Sequence, residues 1–286
     1  MTTPLAAALS EMLEGWIDDL SPAWREVFKD TELGIEHIDP QLELHAHEPI
    51  YPARKRSPHS GAPEGAHIFR AFEDIEPDDV RCVLLGQDPY PSMAFSTGRA
   101  FEVGSYRSWR DLEKMFSHSM RGFTQCVCAD RSGRSELAQS TSNWTDTVDF
   151  IESADFELEF PVNLVQRWVD QGVLLINSSL TISRFEVAGD PHQLQGHIPL
   201  WRPFIVRLLR HLNHERAMPA VVVLFGDVAK SAYQDAIGEL ADASIAEAST
   251  VATEHPAAGN KFLENGNPLT QCNSILVSRG ERPIDW

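Results

Sequence analysis

Lysine is scarce in this chain: Lys29, Lys55, Lys114, Lys230 and Lys261 are all it has. Lys and Arg together number 24 against 42 Asp and Glu, a formal net charge of −18. Phosphate binding is driven by basic side chains that release counterions, so a generally basic nucleic-acid surface is excluded. A local basic groove on an acidic body is not, and neither is a salt-adapted surface. Long apolar runs are also missing. No stretch reaches the roughly 18 residues a membrane span needs, and the start lacks the basic, then apolar, then small-residue order of a secretory leader. A cytoplasmic protein with no membrane partner is expected. The four cysteines, Cys82, Cys126, Cys128 and Cys272, are too few for a disulfide framework in a chain this long. Their spacing fits neither a zinc nor an iron–sulfur site. No metal and no cofactor is expected.

What is present is a series of buried-looking strands that stop on polar residues. Val83-Leu84-Leu85-Gly86-Gln87-Asp88-Pro89-Tyr90 runs from an apolar strand into a turn holding an amide, a carboxyl and an aromatic ring. Taken alone, this octet reads equally as a reaction centre or as a proline turn with a solvated Asp. Gly172 to Asn177 repeats the design, Val221 to Phe225 closes on Gly226-Asp227, and a weaker strand over Ser249–Thr253 ends at Glu254-His255-Pro256. Helical spacing over 67–76, Ser108 to about Ser119, Pro161 to Gln171 and Arg202 to Leu212 alternates with these strands. That alternation predicts a single α/β domain with a central four-stranded, mainly parallel sheet and helices on both faces. Residues 1–50 read as a helical extension, with Leu5, Leu9, Met12, Leu13, Trp16, Ile17 and Leu20 on one stripe. Residues 53–66 read as a loop. Gly122 to Asn143, rich in Ser, Thr, Gly and Arg, reads as surface. Because ligands bind beyond the carboxyl ends of parallel strands, Gln87, Asp88, Asn177 and His255 are expected to gather along one edge.

Together these residues resemble family 1 uracil-DNA glycosylases. The resemblance rests on Gly86-Gln87-Asp88-Pro89-Tyr90, Gly98 to Val103, Gly172 to Thr181, His255-Pro256 and Pro283-Ile284-Asp285-Trp286, with Ile50-Tyr51-Pro52 and Phe69 to Phe72 leading in. It covers most of the chain from about residue 50. It implies a base-flipping enzyme that hydrolyses the bond between uracil and deoxyribose and leaves an abasic site. Asp88 and His255 are the implied catalytic pair: Asp88 orients the water and offsets charge on the sugar, and His255 donates to the base carbonyl. Gln87, Tyr90, Phe101 and Asn177 are the implied base-binding residues. Asn177 reads the pyrimidine edge with one donor and one acceptor, Phe101 stacks on the flipped base, and Tyr90 excludes a C5 methyl group.

The departures lie in the DNA-handling parts. The family has His where Pro91 stands, and its Gly-Ser phosphate contact reads Gly226-Asp227. Its His-Pro-Ser-Pro-Leu segment becomes His255-Pro256-Ala257-Ala258-Gly259, without the apolar wedge, for which Phe262 or Leu263 could substitute. The loop before Ser108 is shortened, and residues 117–160 form an insertion atypical of the family. Pro91, Ser108 and Lys261 fall where DNA-backbone contacts are expected. Arg99, Arg107, Arg110, Arg184 and Lys261 are the cations that could compensate. The implied partner is single- or double-stranded DNA carrying uracil or a modified pyrimidine, bound by a monomer. Two other functions compete with uracil excision: a glycosylase for another modified or damaged pyrimidine, for example in foreign DNA, and a non-catalytic DNA-binding or adaptor protein on the same fold.

Overall fold

The computed structural model describes residues 2–104, 108–113, 118–159, 161–185, 189–238 and 248–286. Its centre is a sheet of four parallel strands, β3 (Cys82–Gly86), β4 (Val173–Asn177), β5 (Val221–Phe225) and β6 (Thr250–Thr253), in the order β4-β3-β5-β6. β3, β4 and β5 are buried at every residue. That is why they read as unbroken apolar runs rather than alternating ones: helices cover both faces of such a sheet. A small antiparallel pair, β1 (Thr2–Pro4) with β2 (Glu43–His45), stands apart from it.

Register places the polar strand ends side by side. Gly86 pairs with Asn177 across β3 and β4. Leu85 pairs with Leu224 on β5, and Phe225 with Thr253 on β6. The carboxyl ends of all four strands therefore form one edge, as the sequence predicts.

The helices are α1 (Leu5–Met12), α2 (Pro22–Phe28), α3 (His118–Ser132), α4 (Trp144–Ile151), α5 (Pro161–Val169), α6 (Ile198–Arg210), α7 (Asp227–Ile237), α8 (Asn260–Glu264) and α9 (Pro268–Ser278). The N-terminal stripe does not continue as one helix. The helix stops at Met12, and Gly15, at φ 62°, turns the chain into a 3-10 turn over Trp16–Asp19. This redirects Trp16 onto Phe28, Phe69 and Phe204, with ring centroids 5.5–6.2 Å away. The first 50 residues are thus joined to the core rather than appended to it.

Other expectations from the sequence also need correction. Residues 67–76 hold only a 3-10 turn over Arg70–Phe72, because Phe69 and Phe72 pack into the aromatic cluster without a helix. α6 begins at Ile198 rather than at Arg202, so Pro203 lies inside it. The stretch read as surface from Gly122 carries much of α3, in which every residue from Gly122 to Ala129 is buried. Phe123, Cys126 and Val127 belong to the core, and the polar residues around them lowered the apolar signal. Trp286 is fully buried, its ring centroid 5.8 Å from that of Trp168.

Candidate active site

Two glycines admit the polar side chains at the strand ends. A methyl group on Gly86 would lie 2.5 Å from Asn177 Oδ1, so only glycine lets that amide rest against β3. Gly226, at φ 86°, follows β5, and a methyl group there would lie 3.0 Å from His255 Cβ. The turn after β4 is tied to the Asp88 loop from below. The Ser178 amide and hydroxyl each donate to the Gly86 carbonyl at 2.9 Å, and the Ser179 amide donates to the Gln87 carbonyl at 2.9 Å.

Asp88 is half-buried. The Gln87 amide donates to its Oδ2 at 2.8 Å, and the Gln193 amide donates to its Oδ1. Burial pushes the carboxyl up to about 6, while both amide donors hold it down. A carboxylate that is ionised at neutral pH yet close to the protonation threshold suits a general base.

His255 caps a 3-10 turn over Pro256–Ala258: the Ala257 N–H donates to its Nδ1 at 3.2 Å. Burial lowers its pKa. The ring is therefore neutral near pH 7. With Nδ1 accepting, the proton sits on Nε2, which is free to donate to a ligand.

Asn177 is buried, and its amide has no hydrogen-bond partner among the described residues. Its Oδ1 lies beside Gly86, whose missing side chain would also touch Ala100 Cβ at 3.5 Å. Phe101 follows at φ 58°, an uncommon backbone conformation for a bulky residue. Its ring stacks on Phe123 with centroids 4.4 Å apart and lies 4.7 Å from the Phe225 ring. The backbone of Gly86 thus lies close to Asn177 and Ala100, that of Gly226 lies close to His255, and the Phe101 and Phe225 rings meet between these two strand ends. Tyr90 is half-buried in the Asp88 loop, and its carbonyl accepts from the Ser92 N–H at 2.7 Å.

The DNA-handling positions fare differently. Pro91 and Lys261 are exposed. Ser108 spends its backbone amide on Asp111 Oδ2 at 3.0 Å. Arg99 is no surface cation: it is buried and bonded to the Arg70 and Glu73 carbonyls and to Gln166. Arg110 is held by Asp149 and Glu152, and Arg184 by Glu48 and Asp190. Arg107 lies outside the described residues. Phe262 and Leu263 are buried and cannot serve as the wedge; the exposed tip of the loop is Ala257-Ala258. Asp227 is fully exposed beside Lys230 at 3.3 Å. Residues 140–143 brace this loop, since Asn260 Oδ1 accepts from the Thr141 N–H and hydroxyl, each at 2.9 Å. Gln193 carries no signal in the sequence. It does not follow a strand, and no motif contains it.

All four cysteines are buried free thiols, with Cys82 Sγ 3.4 Å from Cys272 Sγ. Among the described residues no group of three acidic, His or Cys side chains converges as a metal site. No described helix is long and apolar enough to cross a membrane.

Along the carboxyl edge of this parallel sheet stand a carboxylate raised toward neutrality, a neutral imidazole and an amide with no partner among the described residues, groups of the kind hydrolytic chemistry uses. The comparisons with known proteins narrow this. The profile of the uracil DNA glycosylase superfamily matches residues 72–276, and the chain belongs to that family. A uracil-DNA glycosylase of Agrobacterium fabrum is 30% identical over 230 residues, covering 78% of this chain and 75% of its own. One of Exiguobacterium sibiricum is 25% identical over 267 residues, covering 92% and 97%. Among solved structures, the wild-type UNG of Nitratifractor salsuginis superposes with a TM-score of 0.61 at 21% identity, covering 94% of this chain and 96% of that one. The likeness to that structure is one of fold.

Proposed function

We propose that this protein removes uracil from DNA by hydrolysing its N-glycosidic bond, with Asp88, His255 and Asn177 carrying the chemistry. The observation that supports this best is the pairing of opposite tunings at one sheet edge. Burial raises the Asp88 carboxyl to about 6 and keeps the His255 imidazole neutral. Asp88 then draws a proton from water as its oxygen attacks C1′, and its charge offsets the cation that develops on the sugar. The electron pair of the breaking bond leaves with the base, and His255 Nε2–H donates to the carbonyl oxygen on which that charge collects. The Asn177 carbonyl accepts from the base N3–H and its NH₂ donates to O4, a pattern that cytosine reverses. Phe101 supports the ring and Tyr90 fills the space beside C5.

The loop tip Ala257-Ala258 offers no large apolar group to replace a base in the stack. Flipping out of a duplex costs a few kcal/mol, so single-stranded uracil DNA is the better substrate. The same reading makes the protein a monomer of the reducing cytoplasm that needs no metal. The test is to mix the protein with uracil-bearing oligonucleotides, single- and double-stranded, and identify the products. Free uracil and an alkali-labile strand are expected, faster on the single strand, with Asp88→Asn reducing the rate by at least a hundredfold. No uracil release on either strand across a range of salt would overturn the reading.

A further inference from the structure

The side chain of Gln193 enters the site from an unusual piece of backbone. Residues Gln193–His197 form a π-turn that runs directly into α6. Such turns carry an extra residue, are rare, and cluster at functional sites. This one is fixed on every side. The Gln193 N–H donates to the Asp190 carbonyl at 3.1 Å, and the His192 N–H to Asp190 Oδ1 at 2.9 Å. His192 Nδ1 is 2.9 Å from the Ser183 hydroxyl, and His197 bridges Ser183 at 3.0 Å and Thr181 at 2.8 Å. Trp201 Nε1–H closes the chain on the Thr181 hydroxyl at 2.8 Å. From outside, α1 presses on the turn so closely that a methyl group on Gly196 would lie 2.7 Å from Leu5.

One side chain of this turn, Gln193, is directed inward at Asp88. Gln193 is only 3% exposed, and its NH₂ donates to Asp88 Oδ1. Its Oε1 is buried with no donor from the described residues. An unpartnered buried acceptor costs about 1–3 kcal/mol, and a bound water or a catalytic role is among the reasons a native structure keeps one. Because the NH₂ end is committed to a carboxylate, the amide cannot flip to avoid this.

Resting on the hydrolytic reading above, we propose that Gln193 is a positioning residue: its NH₂ fixes the Asp88 carboxylate and its Oε1 accepts a hydrogen bond from the attacking water. One hydrogen of that water points at Asp88 and the other at Gln193 Oε1, which leaves an oxygen lone pair directed at C1′. As the C1′–O bond forms and the C1′–N1 bond breaks, the first hydrogen passes to Asp88 as a proton. The electron pair of the broken bond departs with the uracil anion. Gln193 exchanges no proton; it acts through geometry and through Asp88.

The test uses the whole protein carrying Gln193→Met, which keeps the length but removes both hydrogen bonds, and Gln193→Glu, which keeps an acceptor and replaces the donor by a second carboxylate. On single-stranded uracil DNA, Q193M is expected to lower kcat about 10- to 100-fold, the scale of a misplaced reactant, with KM within twofold. The acidic limb of its pH–rate profile moves upward, because a carboxylate that loses a donor protonates more readily. Q193E moves that limb further up, because two carboxyls then compete for one proton. An acidic limb unmoved in both variants, or a Q193M kcat within twofold of wild type, overturns the proposal. If Q193M does not fold, Q193E decides on the same limb. If the wild-type protein releases no uracil, the fault lies with the hydrolytic reading. Titrating the Asp88 side-chain carbon by NMR in the wild type and Q193E then still decides whether Gln193 clamps Asp88.

Discussion

Phe101 lies flat on Phe123, with ring planes 15° apart, and the two rings come from segments of very different sequence character. Phe101 belongs to a motif loop held at an uncommon φ. Phe123 belongs to α3, inside the stretch that reads from composition as surface. Phe123 also meets Trp168 and Phe225 edge-on. One face of Phe101 is therefore backed by core, which leaves its position fixed before any base arrives. Phe123→Ala is expected to destabilise the protein by about 3–5 kcal/mol, as truncation of a buried Phe does. The milder Phe123→Leu keeps the fold and is expected to raise KM for uracil DNA severalfold. Chemical denaturation and steady-state kinetics measure the two effects; an unchanged KM in Phe123→Leu would detach α3 from the base platform.

Asp88 ties activity and stability to pH in opposite directions. Its folded-state pKa, about 6, lies above the ordinary carboxylate value of 3.8. Between those two values the folded protein binds more protons than the unfolded chain, so stability falls as pH rises through this window. A shift of that size corresponds to about 3 kcal/mol. Asp88→Asn removes the buried charge. It is expected to melt several degrees higher than wild type at pH 7 and to lose that advantage below about pH 4. Activity runs the other way and declines in the wild type as pH drops below about 6. Thermal melts and rate profiles across pH 3.5–8 check both; an equal stability gain at pH 3.5 and pH 7 would remove Asp88 as the cause.

The sheet was legible because burial on both faces demands continuous apolar runs, and Val83 to Leu85, Val173 to Ile176 and Val221 to Phe225 supply them. The site residues that follow strand ends were legible for the same reason, since a strand end locates them. Gln193 was hidden because a π-turn places it, and the residues of that turn, Gln-Leu-Gln-Gly-His, carry no period that would announce it. α3 was hidden by its polar residues, although Met120, Phe123 and Val127 do fall at helical spacing. The cations could not be judged from sequence at all. Arg99 and Arg110 look alike in a string of letters, yet one is sealed in the core and the other rests on Asp149 and Glu152.

Gly226 offers a test of His255 that leaves the imidazole in place. Its φ of 86° suits glycine, and a side chain there would lie 3.0 Å from His255 Cβ. Gly226→Ala therefore combines backbone strain of about 1–2 kcal/mol with a displaced imidazole. The expected result is a kcat at least tenfold lower, with a melting temperature only a few degrees down. His255→Ala should cost more, about 10²- to 10³-fold, the range for losing one donor at a developing oxyanion. A Gly226→Ala enzyme with wild-type kcat would show that the position of His255 is not set by this contact.

Base choice gives the most direct check on Asn177 and Tyr90, because each variant should create a new activity rather than merely lose one. Cytosine presents an acceptor at N3 and a donor at C4, the reverse of uracil. Asn177→Asp replaces the NH₂ donor with an acceptor that meets the C4 amine, and a shared proton on that carboxyl meets N3. The variant should release cytosine slowly from single-stranded DNA while losing most of its uracil activity. Tyr90 lies in the Asp88 loop, half-buried and packed on the core. Tyr90→Ala opens the space beside C5 and should admit thymine, with uracil release reduced but retained. Chromatography of the bases freed from single-stranded DNA containing uracil beside the four normal bases reads both results at once. Thymine release by Asn177→Asp, or cytosine release by Tyr90→Ala, would mean that the two residues do not face the edges of the base assigned to them.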